Sequence, residues 1–346
     1  MKRYRSPKGA PGVVDVAERA GVSPATVSRA FMTPDMLRNE TRQRILKAAG
    51  EIGYVRKRSS GNMRNRFSGT IGLVLPTIDN AIFAELADAF SSSLQDLGRT
   101  MLIATHDYDL SKEVAIVHAL VERRIDGIAL VGFDHDDVPL EFLAQRQVPL
   151  LSLWNYRADS TIPCIGANNF KAGALVAQHI LDLGHTDPIL LFPKTGRNDR
   201  ARDRLAGAMT AAAERGIEFG EDRIFECPYD VGEAKALALK LFEGEKPSAV
   251  ICANDVIAQG VIYACAACDL RVPEDVSVVG IGDFRGSSDM EPSLSTIRLP
   301  ARRIGKLAAQ TLVRMSETGG PPNPRSIEAE VSLVARRSTA KAAEGL

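Results

Sequence analysis

Nine short apolar runs, each rich in strand-forming residues, punctuate the chain from residue 70 onward. They are TIGLVLP (70–76), TMLIATH (100–106), GIALVG (127–132), PLLSLW (149–154), CIGAN (164–168), PILLFP (188–193), RIFECP (223–228), AVICAN (249–254) and VSVVGIG (276–282). Runs such as GLVLP and VSVVG lack period-two alternation, the pattern of strands covered on both faces. Amphipathic helical segments that end at glycine lie between them, such as AELADAFSSSLQDLG (84–98) and FKAGALVAQHILDLG (170–184). Strand and helix in this rhythm imply α/β layering with parallel sheets. The pattern divides near residue 168 into two similar lobes, and a cleft at their strand C-terminal ends is a natural small-molecule site.

The 69 residues before this alternation are built differently. Residues 1–66 hold 15 basic and 5 acidic residues, a net +10, whereas the remainder is net −10, so the neutral total hides a partition. A basic head on an acidic body points to a polyanion as partner of the head. VVDVAERAG (13–21) places Val13, Val16, Ala17 and Ala20 on one helical face and stops at Gly21. Ser23 offers an N-cap oxygen, and Pro24 takes the first helical position, where its missing N–H costs nothing. A second short helix, PATVSRAF, follows at once, and TRQRILKAAGEIGY (41–54) supplies a third with Ile45, Leu46, Ala49 and Ile52 inward. Two short helices about a glycine-containing turn form a helix-turn-helix.

The second helix has the chemistry of a DNA reader. Pro24 and Ala25 suit a thymine methyl, and Arg29 can reach a guanine edge or a phosphate. Ser23, Thr26 and Ser28 are candidates for phosphate contact, and Val27 faces the core. The implied partner is double-stranded DNA.

DVAERAGVSPATVSRAF…TRQRILKAAGEIGY resembles the DNA-binding head of the lactose-repressor (LacI) family, and the order of the remaining chain fits as well. The resemblance spans residues 13–338 and implies a dimer on a pseudopalindromic operator. It also implies an N-terminal all-α helix-turn-helix head joined to an α/β core: two doubly wound parallel-sheet lobes of the type I periplasmic-binding-protein fold. The expected division is a disordered basic tail (1–10), the head (11–55), a hinge (56–69), an N-lobe (70–168 and 301–328) and a C-lobe (169–300 and 329–340). The last strand, SIEAEVSLVAR, is expected to return to the C-lobe. In the hinge, Met63 stands where the family carries a leucine that wedges into the minor groove, with Arg64 beside it on the phosphates. Gly61, Ser60 and Asn62 are poor helix residues, so this hinge is expected to order only on DNA. Helices 84–98 and 256–268 are candidates for the homodimer face.

The resemblance also implies effector contacts. Arg204, in RLAG, is the expected ligand arginine, with Asn254 in CAND and Ile82 and Phe83 before the first long core helix. Two positions where sugar-binding relatives carry carboxylates are Gly282, followed by Asp283, and Trp154. Losing two carboxylates while keeping Arg204 favours a ligand with its own negative charge. Arg200, Arg202 and Lys194 lie close by in sequence and would add to that field. Gly-Asp-Phe and the tryptophan resemble the gluconate-repressor branch, so the expected effector is a sugar acid; a phosphorylated sugar satisfies the same charge argument.

Other functions find less support. The chain carries no G-x-S-x-G, Walker loop, G-x-G-x-x-G or H-E-x-x-H. His106 with Asp107 and Asp109 reads as a polar cleft rim, since no nucleophile or metal set accompanies it. Cys265 and Cys268 form a C-x-x-C without a second pair, and the other three cysteines lie singly near strand-like runs, so all five read as buried spectator thiols. No cofactor, metal or catalytic role is expected. Neither a signal-like apolar segment nor a membrane-spanning run is present, which indicates a cytoplasmic protein with no membrane partner. A solute-binding protein would explain the body but not the head, and an α/β enzyme would need a catalytic constellation.

Overall fold

The computed structural model describes residues 11–55, 67–244 and 246–343. The tail (1–10), most of the hinge, and with it Met63 and Arg64, lie outside the described residues. The chain separates into a head, up to Arg66, and a core from Phe67.

In the head, α1 (Val13–Ala20) stops where Gly21 takes φ 64° and the Val22 N–H closes on the Ala17 carbonyl at 3.0 Å. The Asp15 carboxylate reaches back to the Gly12 N–H at 2.6 Å, satisfying a donor that the helix leaves free. Next, α2 (Pro24–Met32) starts as expected: Ser23 Oγ accepts from the Thr26 N–H at 3.2 Å and Pro24 is first in the helix. Then α3 (Asn39–Ile52) packs across both. Their shared core is small: Val16, Ala17, Ala20, Val27, Ala30, Ile45, Ala48 and Ala49. Small side chains let three short helices approach closely, while Arg19 pairs with Glu51 on the surface at 2.9 Å.

The core begins with β1 (Thr70–Leu75), α4 (Ala81–Asp96), β2 (Thr100–Thr105), α5 (Glu113–Glu122), β3 (Gly127–Val131), α6 (Asp137–Gln145), β4 (Leu150–Asn155) and β5 (Cys164–Ala167). After crossing, the chain lays down α7 (Asn169–Asp182), β6 (Ile189–Phe192), α8 (Asp199–Ala213), β7 (Ile224–Glu226), α9 (Val231–Phe242), β8 (Ala249–Cys252), α10 (Asp255–Ala267), β9 (Ser277–Gly282) and β10 (Ser295–Arg298). It then crosses back for α11 (Ala301–Thr318), β11 (Ser326–Ala329) and β12 (Ser332–Val334).

The N-lobe sheet has the order β11-β5-β4-β3-β1-β2, and every pairing in it is parallel. The C-lobe sheet has the order β12-β10-β9-β8-β6-β7, parallel except for β12 against β10. The segment expected to be one final strand is therefore two. Residues 326–329 stay with the N-lobe beside β5, and the chain changes sheets through Glu330 and the buried Val331 before β12.

Both sheets are covered on two faces, which is why their strands read as continuous apolar runs. In the N-lobe, Ile71, Leu73 and Leu75 face one core with α4 and α11, while Val74, Ile128 and Leu130 face another with α5 and α6. In the C-lobe, α7 and α8 lie in such close contact that a Cβ at Gly173 would overlap the Arg204 carbonyl, and one at Gly207 the Phe170 carbonyl. That approach fixes α8, and with it Arg204, against the lobe. All five cysteines are free thiols, four buried and Cys268 half-buried. Among the described residues, no helix is long and apolar enough to cross a membrane.

Candidate functional site

On the head, the residues read as DNA-facing share one surface. Ser23, Pro24, Ala25, Ser28 and Arg29 are exposed, Thr26 is half-buried, and Val27 is fully buried. The Ser23 and Thr26 hydroxyls lie 2.8 Å apart, so both belong to the cap that starts α2. Arg29 makes no ion pair among the described residues, leaving its guanidinium free on the same face.

In the core, strand C-terminal ends of both lobes meet around a small cavity. Ile82, Phe83, Trp154, Arg204 and Asn254 all line it, together with Asn80, Tyr108, Arg200, Tyr229, Ile281 and Leu299. Each arrives for a local reason. Asn80 and Asn254 cap α4 and α10, their side chains accepting from Ile82 N–H at 3.3 Å and Ile257 N–H at 3.0 Å. Trp154, at the end of β4, takes φ 76°, is 1% exposed, and packs on Phe83 with ring centroids 5.2 Å apart.

Arg204 is 4% exposed. Its Nε donates to Asn169 Oδ1 at 2.8 Å and its Nη1 to the Ala253 carbonyl at 2.7 Å, both neutral acceptors. Among the described residues it has no carboxylate partner. Burial pushes the guanidinium below its ordinary range because nothing nearby offsets lost hydration in full. Arg200 enters the cavity from the previous turn and pairs with Asp199 at 3.0 Å. Among the described residues, no carboxylate lines the cavity. With Arg200 already shared with Asp199, it is Arg204, in a wall without acids, that makes a site for an anion.

The start of α8 also holds the lobes together. Asp199, fully buried, accepts from the Phe133 N–H at 2.8 Å and from Asn155 Nδ2 at 3.1 Å, while Arg202 grips Asp134 through both nitrogens at 3.0 and 2.9 Å. Burial drives the Asp199 carboxyl upward, but Arg200 and these donors outweigh it and hold it low. A Cβ at Gly132 would meet Arg200 Nη1 at 2.6 Å, so the N-lobe loop must be bare there. Behind this contact, His135 Nδ1 lies 2.8 Å from Glu113, and its Nε2 lies 3.0 Å from the Gly132 carbonyl. With an acceptor at each nitrogen the ring favours its doubly protonated form. Burial opposes that, Glu113 overcomes it, and the pKa is raised.

Several sequence readings are corrected. Asp283 does not line the cavity: its carboxylate is bound by Arg298 and Arg336, both at 2.6 Å, and its N–H donates to Asp255 at 2.7 Å. Gly282 borders Ile82, where a Cβ would come within 3.3 Å of the Ile82 terminal carbon, but it is not a wall residue either. The turn through Gly282 at φ 154° and Asp283 at φ 59° carries the carboxylate away. Arg202 and Lys194 are paired with Asp134 and Glu226, so of the three neighbouring cations only Arg200 reaches the cavity. His106 is buried, not on a rim; its Nδ1 has no partner and burial lowers its pKa. Asn80, Tyr108 and Tyr229 were not read from the sequence, since single loop residues carry no periodic signal.

Comparison with known proteins agrees with this architecture. Residues 13–57 match the bacterial regulatory proteins of the lacI family, and residues 177–339 match the periplasmic binding protein-like domain. The HTH-type transcriptional regulator reg1 of Streptomyces lividans is 33% identical over 342 residues, covering 95% of this chain and 97% of that one. The crystal structure of the lac repressor dimer bound to operator and the anti-inducer ONPF superposes with a TM-score of 0.80 at 26% identity, covering 96% of this chain and 100% of the other. The transcription regulator GntR from Chromobacterium violaceum gives 0.73 at 25% identity over 78% of this chain and 99% of its own. A helix-turn-helix head on a two-lobed, ligand-binding type of core defines an effector-responsive class of regulator. The chain belongs to the LacI family of DNA-binding transcriptional regulators.

Proposed function

We propose that this regulator is a cytoplasmic, dimeric repressor whose grip on its operator is controlled by a sugar acid such as gluconate bound between the lobes. The observation that carries the reading is Arg204: a buried guanidinium, bonded only to neutral acceptors, on a cavity wall that also holds Arg200 and no carboxylate. A carboxylate supplied by the ligand would add to its hydrogen bonding and supply the directly bonded counter-ion that it lacks among the described residues. Ligand joins the walls of both lobes and so favours one lobe arrangement; by linkage, operator then weakens ligand binding by the factor with which ligand weakens operator binding. On the DNA side, Ser23, Pro24, Ala25, Thr26, Ser28 and Arg29 are the proposed contacts, with Met63 of the hinge in the minor groove and Arg64 on the phosphates beside it.

The test is anisotropy of a labelled duplex pool against the full-length chain. Binding should fall steeply with salt, with a slope of about −0.9 per phosphate neutralised. Gluconate should release the bound fraction, whereas glucose at equal concentration should not. Equal binding by a chain lacking residues 1–66 would refute the DNA-binding role of the head, and release by glucose alone would refute the acid effector. A phosphorylated sugar is the third arm.

A further inference from the structure

The cleft is divided into compartments of opposite charge. The inner cavity, beside Arg200, Arg204, Phe83 and Trp154, has a volume of about 20 Å³. A single water requires about 10–15 Å³, so this space takes a carboxylate but not a sugar ring. At its mouth the rings of Tyr108, from the N-lobe, and Tyr229, from the C-lobe, meet with centroids 5.5 Å apart. Beyond them lies an outer basin of about 450 Å³ whose wall carries Asp79, Asp107 and Asp230 and no Lys or Arg. A second basin of about 950 Å³ also borders the tyrosines. Its two cations are already engaged, Lys194 with Glu226 and Arg197 with Asp136.

We infer that the effector enters carboxylate first, through the tyrosine pair to Arg204, and that its hydroxylated remainder stays outside in the acidic basin. Three observations agree. The inner volume fits the head group alone. The charge gradient runs from Asp79 and Asp230 outside, with Asp107 shared with Lys112 at 3.6 Å, to Arg204 inside, with Arg200 shared with Asp199; it repels an anion at the mouth and attracts it at the base. Arg204 lines the inner cavity, while the outer carboxylates are acceptors for sugar hydroxyls. Between the compartments, the tyrosine faces offer apolar surface to the C–H side of a polyol. The inference rests on the sugar-acid reading and narrows it. Because the far end of the ligand lies in open basins, the site accepts aldonic acids extended by a further sugar unit at the end remote from the carboxylate.

The test is calorimetry of the full-length chain with gluconate, gluconamide and melibionate, the last being gluconate bearing a galactosyl group on its terminal O6. Melibionate should bind within about threefold of gluconate, because it adds atoms only where space is open and loses none of the charge-assisted bonds. Gluconamide, without the charge, should bind at least about 30-fold more weakly. Tyr229→Ala should weaken melibionate by about tenfold through loss of ring contact, with unchanged thermal unfolding showing that the lobe is intact. If gluconate binds and melibionate binds more than about 100-fold more weakly, the ligand is enclosed whole, and the orientation is wrong while the sugar-acid reading stands. If neither acid binds, both fall together.

Discussion

The N-lobe and C-lobe sheets repeat one strand order, β1 through β5 with β11 in the first answering β6 through β10 with β12 in the second, yet they line the cleft with different chemistry. The N-lobe presents Ile82, Phe83, Trp154 and Tyr108, with Asn80 beside them. The C-lobe presents Arg200, Arg204, Asn254 and Tyr229. Shared topology brings equivalent strand ends to one cleft; it leaves open what each end carries. One lobe supplies shape and the other charge, so a ligand satisfies both only when the two walls stand together.

The most damaging change should be on the charged wall. Arg204→Met is expected to weaken gluconate binding by about 3 kcal/mol, on the order of 100-fold, while leaving the head's DNA affinity intact. Isothermal titration reads it, and an unchanged affinity would remove the distinction between the walls.

His135 sharpens the comparison from the N-lobe side, where its ion pair with Glu113 lies behind the cleft. His135→Leu leaves Glu113, 1% exposed, without its partner and should cost about 3 kcal/mol at pH 6. The pKa of His135 is raised in the fold, so the pair's contribution is full below 6.5 and fades as pH rises through the folded value. Urea unfolding of both proteins across pH 6 to 9 should therefore show the difference shrinking toward alkaline pH. A difference that grows with pH contradicts the protonated pair.

Gly173→Ala tests whether the position of Arg204 depends on the closeness of α7 and α8. The added methyl meets backbone and should cost about 2 kcal/mol of stability, with acid affinity falling in parallel. Smallest of all is Phe83→Leu, which loosens the contact with Trp154. It should cost about 1 kcal/mol and weaken gluconate and gluconamide alike, since an apolar wall does not discriminate charge.

Much of this was legible in the chain because local rules and tertiary packing agree. Gly21, Ser23 and Pro24 mark the break between α1 and α2 with the chemistry the turn requires, and the continuous apolar runs mark strands buried on both faces. Arg204, in the second turn of α8, and Asn254, the cap of α10, were legible through the family resemblance that RLAG and CAND carry. Contacts made across the fold were not legible. Asp283 binds Arg336, which arrives from the C-terminal segment, and nothing near Asp283 in sequence announces it. The tyrosine pair joins loops after β2 and β7, on different lobes. The split between β11 and β12 keeps strand-like residues on both sides of a change of sheet, so a composition-based reading runs through it.

The single tryptophan gives the most direct test, since Trp154 borders both the cavity and Phe83. Its fluorescence should be followed while the full-length protein is titrated with gluconate and, separately, with glucose. The account predicts a saturable change with gluconate that vanishes in Arg204→Met, and none with glucose. A saturable response to glucose with none to gluconate would contradict it.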